Sequence, residues 1–274
     1  MDLVWRAADP DLGSFVTAFV ERRDEAQAGA SLELPLTAPL LQFMLGADYA
    51  LETGGRMESI PRDSFWAPSI VPRRSAPEGR LHVFVAVLTP AGAALLLGEG
   101  SGAGTILALE PVLRVRERGL PDALRAAGSF TERCVLVQAL IRGRADAQPR
   151  NRSGSILAVA GAIAGHRLVG SVGDVARDCG MEERTLLNRF RRELGCSPKR
   201  YLRIARLNRL VRSLHPRPWG GKSAHDPFLE YHDASHLYRE FRALTGLTPT
   251  AFVRSKTRSG DALVHSCLVD GAPG

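Results

Sequence analysis

The chain has 274 residues, of which 45% are hydrophobic and 24% charged, and it carries a formal net charge of +7 at pH 7. This length and apolar content suffice for two modest domains with cores of their own. No apolar run reaches the roughly 18 residues that a membrane span needs, so the sequence predicts no membrane-spanning segment. The N-terminus also lacks a basic segment followed by an apolar one, so we expect a soluble, cytoplasmic protein.

The charge is divided unevenly along the chain. Residues 1–149 hold 15 Lys and Arg against 18 Asp and Glu, a net of −3, whereas residues 150–258 hold 21 against 9, a net of +12. This asymmetry favours a polyanionic partner for the second part, where the planar guanidinium of arginine suits phosphates and guanine edges. The alternative is a solvated basic face with no such partner.

The first part is predicted to begin with a short strand or lead-in, to form a helix next, and to continue as short strands. Apolar residues recur at helical spacing from about residue 11 to residue 23, with Leu12, Phe15, Val16, Phe19 and Val20 on one face. Extended apolar runs then cover residues 40–45, 65–71 and 81–88, separated by Pro and Gly. We therefore expect a small β-rich unit.

Helices are predicted to close this unit. Thr89 and Pro90 are a cap and a first helical residue, and Gly98 follows as a stop. The glycines of residues 98–104 have no phosphate-binding spacing and indicate a connector. After a helical piece at residues 121–128, Ser129 and Glu132 have capping-box spacing before a helix whose predicted apolar face is Val135, Leu136, Ala139, Leu140 and Ile141. That helix either completes the first domain or pairs with its copy in a dimer.

A polar linker over residues 145–154 coincides with the change in charge, so we place a domain boundary there. An alanine-rich helix over residues 156–163 follows. Four cysteines, Cys134, Cys179, Cys196 and Cys267, have no paired spacing. They indicate a reducing compartment, with three of them as small core residues.

Two short helices with a glycine turn follow the linker. Val172, Val175, Ala176 and Cys179 share one helical face behind the candidate N-cap Ser171, and Gly180 ends that helix. Met181, Glu182 and Glu183 open a second helix with Leu186, Phe190 and Leu194 inside and Arg184, Asn188, Arg191 and Arg192 outside. This arrangement is typical of a helix-turn-helix, although similar helix pairs occur in proteins that bind no nucleic acid.

A longer helix is predicted next. Gly195 is a candidate C-cap, Ser197 an N-cap and Pro198 a first helical residue. Tyr201, Ile204, Ala205, Leu207, Val211 and Leu214 are predicted to face inward. Arginines at positions 200, 203, 206, 209 and 212 wind around this helix, so only some of them can face DNA.

An offset of 51 residues reveals an internal repeat. Leu186, Phe190, Arg191, Gly195, Ser197, Pro198, Tyr201 and Arg203 correspond to Leu237, Phe241, Arg242, Gly246, Thr248, Pro249, Phe252 and Arg254. The helix over residues 233–246 is therefore predicted to be a second recognition helix.

Residues 152–255 resemble the DNA-binding domain of AraC/XylS-type transcription regulators. The resemblance is clearest in Tyr201-Leu-Arg-x-x-Arg-Leu and in Ser235-His-Leu-x-Arg-Glu-Phe-Arg-x-Leu-Thr-Gly-x-Thr-Pro. It implies an α+β protein: a β-rich sensory or dimerisation domain over residues 1–149, then an all-α domain over residues 150–258 with seven helices and two helix-turn-helix units, and a tail over residues 259–274. The implied partners are promoter DNA, a possible small-molecule effector, a second copy, and RNA polymerase for an activator; repressors also occur.

The resemblance also implies which residues contact base edges and which contact phosphates. In the first unit Arg184, Leu187 and Asn188 are expected to face bases, and Arg189, Arg191 and Arg192 phosphates. In the second unit the expected reading face is Ser235, His236, Tyr238 and Arg239. This unit departs from the pattern, because Asp226 and Pro227 stand where a small residue and a Gly turn belong. Its supporting helix must be short, with Asp226 as N-cap and Pro227 at the first position.

Other functions are less well supported by the residues. His232 and His236 stand four apart near His225, but a third metal ligand is not evident, so no metal or cofactor is expected. An enzymatic first domain is the main rival, yet residues 1–149 contain His82 as their single histidine and no catalytic constellation. The third possibility is a protein-interaction module whose second unit has decayed, and weak salt dependence of DNA association would identify it.

Overall fold

The computed structural model describes residues 2–24, 31–53, 55–98, 102–147, 156–213 and 227–255. Within these ranges ten strands form two antiparallel sheets, one with the order β1-β2-β9-β4-β7-β10 and one with the order β3-β8-β5-β6. The strands are β1 Asp2–Ala7, β2 Val16–Arg23, β3 Ser31–Glu33, β4 Leu40–Met44, β5 Tyr49–Thr53, β6 Arg56–Ser59, β7 Asp63–Trp66, β8 Arg73–Pro77, β9 His82–Leu88 and β10 Ile106–Ala108. The β-rich first part is thus confirmed.

The helix expected over residues 11–23 is wrong. Pro10–Leu12 form one 3-10 turn, and Val16–Arg23 is strand β2, which pairs with β1 and β9. Phe19 stacks on Phe84 on one face of the sheet at 6.0 Å between ring centroids, while Val20 packs with Val85 on the other. A strand buried on both faces shows no alternation of apolar and polar residues, so its sequence pattern resembles that of a helix.

Three helices cover the face of the larger sheet that carries the phenylalanines: α1 Pro90–Leu97, α2 Leu120–Ala126 and α3 Phe130–Asp146. The expected caps form, since Thr89 Oγ1 accepts from Gly92 N at 3.0 Å and Ser129 Oγ accepts from Glu132 N at 3.2 Å. Glu132 Oε2 instead accepts from Gly128 N at 2.8 Å, so the predicted box is only half formed.

The buried face of α3 also differs from the expected one. Cys134, Val137, Leu140 and Ile141 enter the core, whereas Val135 is 54% exposed and Ala139 is exposed as well. The helix therefore packs onto the first domain through residues one position away from part of the predicted face. Its pairing with a second copy stays a prediction.

The second part is helical throughout its described residues. Its helices are α4 Ile156–Ala164, α5 Val172–Asp178, α6 Glu183–Leu194, α7 Pro198–Ser213, α8 Ala234–Thr245 and α9 Pro249–Ser255, with a 3-10 turn at Pro227–Glu230 before α8. One core joins α4, α5, α6 and the start of α7, and a second joins the end of α7 to α8 and α9. No helix in the described ranges is long and apolar enough to cross a membrane.

The boundary proposed between residues 149 and 150 lies outside the described residues, as do the tail, Leu214, His225, Asp226 and Cys267. Of the other cysteines, Cys134 and Cys196 are buried and Cys179 is partly buried, as expected for small core residues. Burial raises the pKa of the Cys196 thiol to about 11.

Candidate nucleic-acid interface

The first helix-turn-helix is built from α5 and α6. Ser171 caps α5, since its Oγ accepts from Asp174 N at 3.2 Å and Asp174 Oδ2 accepts in return from Ser171 N at 2.9 Å. The Ser171 hydroxyl also lies 2.7 Å from Asp174 Oδ2 as a donor, and this bond first, then the one from Ser171 N, lowers the pKa of Asp174 to about 2. Gly180 has a φ of +61°, a left-handed conformation that glycine adopts without steric cost. The predicted cap and turn are thus present.

The inner faces of the two helices pack closely. Val175 and Ala176 of α5 are 0% and 2% exposed. On α6, Leu186, Phe190 and Leu194 are buried at the predicted spacing of four residues. Because this packing fixes the rotation of α6 about its axis, it decides which side chains point away from the protein.

The outer face of α6 carries Arg184, Thr185, Asn188, Arg191 and Arg192, all exposed. Arg192 and the half-buried Arg189 each donate to Glu193 Oε1 at 3.0 Å. Within the described part of the chain, the side chains of Arg184, Asn188 and Arg191 have no such acceptor and are free to contact a ligand. Leu187 is only partly exposed. Thr185 was missed by the sequence analysis, although its position beside Arg184 on the outer face of the helix was a sufficient signal.

The second unit exposes a different set of side chains. Asp233 Oδ1 caps α8 by accepting from His236 N at 2.6 Å, and Leu237, Phe241 and Leu244 are buried. Ser235 and Arg239 are exposed, and the exposed Tyr238 shares a hydrogen bond with Thr250 Oγ1 at 3.1 Å.

His236 belongs to the predicted reading face but is turned toward the protein. Its ring packs edge-on against Tyr231 at 5.7 Å between centroids, and its Nε2 lies 3.5 Å from Glu240 Oε2. Among the described residues, the element directly before α8 is the 3-10 turn Pro227–Glu230. Phe228 and Leu229 of that turn are 47% and 76% exposed.

The internal repeat is visible in three dimensions. Helices α6 and α8 both have 12 residues, and they end at Gly195 and Gly246 with φ angles of 69° and 77°. Phe190 meets Tyr201 at 5.7 Å between ring centroids, and the equivalent Phe241 meets Phe252 at 5.5 Å. The two recognition helices are therefore supported by the same local packing.

The arginines of α7 mostly bind the protein itself. Arg203 and Arg206 lie 3.4 and 3.5 Å from the two oxygens of Glu240. Arg209 donates to Glu230 Oε1 at 2.7 Å, and Arg200 donates to the carbonyl of Ile70 at 2.7 Å. These four arginines thus attach α7 to the second unit and to the first domain, and they are not available as a phosphate-binding stripe.

The β-rich part contains a cavity of about 80 Å³ between its two sheets. Its walls are mostly apolar, with Leu40, Val83 and Val85 on the larger sheet. Polar groups come from Arg22, Glu33, Gln42, Tyr49 and Arg73. Tyr49 Oη donates to Glu33 Oε1 at 2.6 Å, and burial lowers the pKa of Arg73 although the Glu33 carboxylate raises it.

Comparison with known proteins identifies the helical part. Residues 175–255 match the family model described as a helix-turn-helix domain. Comparison with curated protein sequences gives no match. The resemblance of this region to the AraC-type DNA-binding domain is confirmed.

Among solved structures, wild-type ToxT from Vibrio cholerae strain SCE256, bound to an unsaturated fatty acid, is similar with a TM-score of 0.51 at 6% identity, over 86% of this chain and 94% of that one. Another ToxT structure from Vibrio cholerae has a TM-score of 0.49 at 7% identity, covering 93% and 98%. The AraC-like transcriptional activator CuxR has a TM-score of 0.31 at 14% identity, covering 76% and 86%. The first of these likenesses shows a shared fold, β-rich and then helical.

Proposed function

We propose that the chain is a sequence-specific transcription regulator whose helix α6 enters the major groove of promoter DNA, under the control of the β-rich domain. The observation that carries this proposal is the outer face of α6, where Arg184, Asn188 and Arg191 are exposed while Leu186 and Phe190 fix the helix from within. A helix of this kind fits the major groove, which presents a distinct donor and acceptor pattern for each base pair.

We propose a role for each candidate contact. Arg184 and Asn188 lie on one face and suit guanine and adenine edges, each worth about 1 to 3 kcal/mol of discrimination. Arg191 is the phosphate contact best supported, because Arg189 and Arg192 already pair with Glu193. Leu187 has no hydrogen-bonding group, so we expect it to make an apolar contact, such as one with the methyl group of thymine. In the second unit Ser235, Tyr238 and Arg239 are the candidate contacts, and His236 serves packing.

We further propose that the cavity between the sheets binds a small effector. Its apolar walls and few polar groups suit a small, mostly apolar molecule with one hydrogen-bonding end. The AraC-type resemblance adds two further proposals, a homodimer formed through the first domain and, for an activator, contact with RNA polymerase.

One observation favours a second function for part of the molecule. Phe228 and Leu229, in the 3-10 turn before α8, are 47% and 76% exposed and add apolar area to this side of the second unit. Under this alternative the second unit binds a protein and only α6 reads DNA.

Selection of duplexes from a random pool tests the proposal, at about 150 mM salt where nonspecific attraction is weak. The full chain is expected to enrich a motif, with two segments about one helical turn apart if both units read bases. A single short motif supports the alternative for the second unit. Absence of any motif contradicts sequence-specific regulation.

Two variants test the assignment of faces. Arg184→Ala should relax the preference at one base pair, at a cost of about 1 to 3 kcal/mol for the selected sequence. Arg191→Ala should weaken binding to all duplexes equally. If both variants lose affinity uniformly across sequences, α6 does not present Arg184 to the bases.

A further inference from the structure

A short segment between β3 and β4 lies at the edge of the cavity. We call residues 34–38 the rim segment, and three of its side chains, Leu34, Leu36 and Ala38, line the cavity. The segment is outside both sheets, apart from the bridge in which Leu36 N donates to Ser69 O at 3.0 Å. The wall residues Ala67 and Ser69, between β7 and β8, also lie outside the strands.

Helix α7 binds the rim segment through a buried amide. Asn208 is 1% exposed; its Nδ2 donates to the carbonyl of Pro35 at 2.7 Å, and its Oδ1 accepts from Thr37 N at 3.2 Å and from Thr37 Oγ1 at 3.3 Å. Tyr201 Oη adds a bond to the carbonyl of Thr37 at 3.4 Å. Because a buried amide without partners is unfavourable, α7 and the rim segment are expected to move together or to separate as a whole.

The same contacts continue to both recognition helices. The ring of Tyr201 meets Phe190 of α6 edge-on at 5.7 Å between centroids. Leu34, which is 4% exposed, packs in the core of the second unit with residues of α7, α8 and α9, including Leu207 and Phe241. Leu34 is therefore both a wall residue of the cavity and a core residue of the second unit. Thr37, in the same rim segment, is bonded to Tyr201, which packs against Phe190 of α6.

The size of the cavity makes these contacts relevant to ligand binding. Its volume of about 80 Å³ is well below the range of about 300 to 1,000 Å³ typical of small-molecule sites. A ligand of ordinary size fits only if a wall moves, since close-packed interiors have little free space to give. A displacement of the rim segment breaks no strand pairing apart from the bridge to Ser69, and the rim segment is the wall that α7 binds.

We propose that the rim segment couples occupancy of the cavity to the placement of α6 and α8, through Asn208 and Tyr201 on one side and Leu34 on the other. The effect on DNA binding rests on the proposed function, whereas the contacts between the rim segment and α7 do not depend on it. Filling the cavity displaces the rim segment, and α7 carries that displacement to both units.

A cavity-filling substitution replaces the unidentified ligand as the probe. Ala38→Leu adds volume at the rim, and DNA affinity is measured for the wild type, Ala38→Leu, Asn208→Ala and the double variant, using the selected duplex. Ala38→Leu is expected to change the dissociation constant by about 5-fold to 150-fold, the usual range of coupling between sites. In the Asn208→Ala background this change should fall substantially. An equal change in both backgrounds overturns the proposal.

Hydrogen exchange gives a second readout that does not require DNA. Ala38→Leu should alter amide exchange in α6 and α8 as well as at the rim segment. Changes confined to the sheets contradict the coupling, whether or not the protein binds DNA, so the two proposals fail separately.

Two further variants guard against loss of folding. Tyr201→Phe keeps the ring against Phe190, removes only the bond to Thr37, and should weaken the transmission to α6 more than to α8. Gln138→Ala is the matched control for Asn208→Ala, because Gln138 is also a buried amide, 2% exposed, whose Oε1 accepts from Asp9 N at 2.9 Å inside the first domain. It should lower stability without changing the effect of Ala38→Leu.

Discussion

Gly195 and Gly246 occupy equivalent places in the repeat but have different surroundings. Both end a recognition helix in the left-handed conformation. A Cβ at position 195 would lie 2.4 Å from Ala103 N and 3.0 Å from Gly102 Cα, whereas a Cβ at position 246 meets nothing within 4 Å. Gly195 is therefore required both for its backbone angle and for a close approach to the first domain.

Alanine at these two positions separates the two requirements. Gly246→Ala should lower the free energy of unfolding by about 1 kcal/mol, the lower end of the cost of a left-handed alanine. Gly195→Ala should cost about 1 to 3 kcal/mol more, since its methyl group overlaps backbone atoms that must shift. Urea unfolding followed by circular dichroism measures both. Equal losses would show that residues 102 and 103 do not pack against the end of α6 in solution.

At the scale of elements, α7 is organised by ion pairs with the second unit. Arg209 pairs with Glu230, while Arg203 and Arg206 pair with Glu240, and both glutamates are nearly buried. Burial raises the pKa of Glu230, but hydrogen bonding to Arg209 and the nearby positive charges lower it more, so its net pKa lies below the ordinary value of a glutamate. The folded second unit therefore favours the ionised carboxylate.

This preference has a definite sign with pH. Because the folded pKa of Glu230 is depressed, its contribution to stability is fully present above the unfolded value of about 4.3 and is lost as the pH falls through the folded pKa. Glu230→Gln should reduce the opening free energy of α8 by about 1.5 to 3 kcal/mol at pH 7, as expected for a hydrogen bond to a charged group. It should also flatten the decline of that free energy as the pH falls below about 4.3.

Native-state hydrogen exchange of the α8 amides measures this opening directly. Glu110→Gln is the control, because Glu110 is exposed on the first domain, and it should leave α8 unchanged. An α8 whose stability declines with acid as steeply in the Glu230→Gln variant as in the wild type would exclude Glu230 as the responsible group.

The sequence predicted elements well where local signals decide them. The caps at Thr89 and Ser171 and the two glycine stops of the repeat require only neighbouring residues, and all are present. Strand β2 has no such local signal: it is buried on both sides, so its residues carry no period of two. Helix or strand was decided there by pairing with β1 and β9, which are contacts that a local pattern does not contain.

In the candidate site, too, some features follow from the local sequence and others depend on tertiary contacts. The inner and outer faces of α6 follow from helical spacing, and the exposed positions of Arg184 and Asn188 agree with it. The inward turn of His236 does not follow from spacing, since it depends on Tyr231 and Glu240 across the fold. Nor did the arginines of α7 reveal that Glu230 and Glu240 would bind them, because Glu230 belongs to a different element and the ion pairs form only on packing.

At the scale of the whole molecule, the net charge of the second part exceeds the number of cations that are available to contact DNA phosphates. Residues 150–258 carry a net +12, but many of the cations have internal acceptors. Arg177 pairs with Asp174, two arginines of α6 pair with Glu193, and those of α7 pair with Glu230 and Glu240. The exposed arginines Arg191 and Arg242, which are equivalent in the repeat, remain as matched candidates for phosphate contacts.

The salt dependence of DNA binding tells whether both units contact the duplex at once. Each phosphate contact contributes about 0.9 to the slope of log affinity against log salt concentration. If α6 and α8 both lie on DNA, Arg191→Ala and Arg242→Ala should each reduce the slope by about that amount, and the double variant by about twice as much. Arg56→Ala, on exposed β6 of the acidic first part, should change nothing. A reduction with Arg191→Ala alone would assign DNA binding to the first unit and leave the surface of α8 for a protein partner.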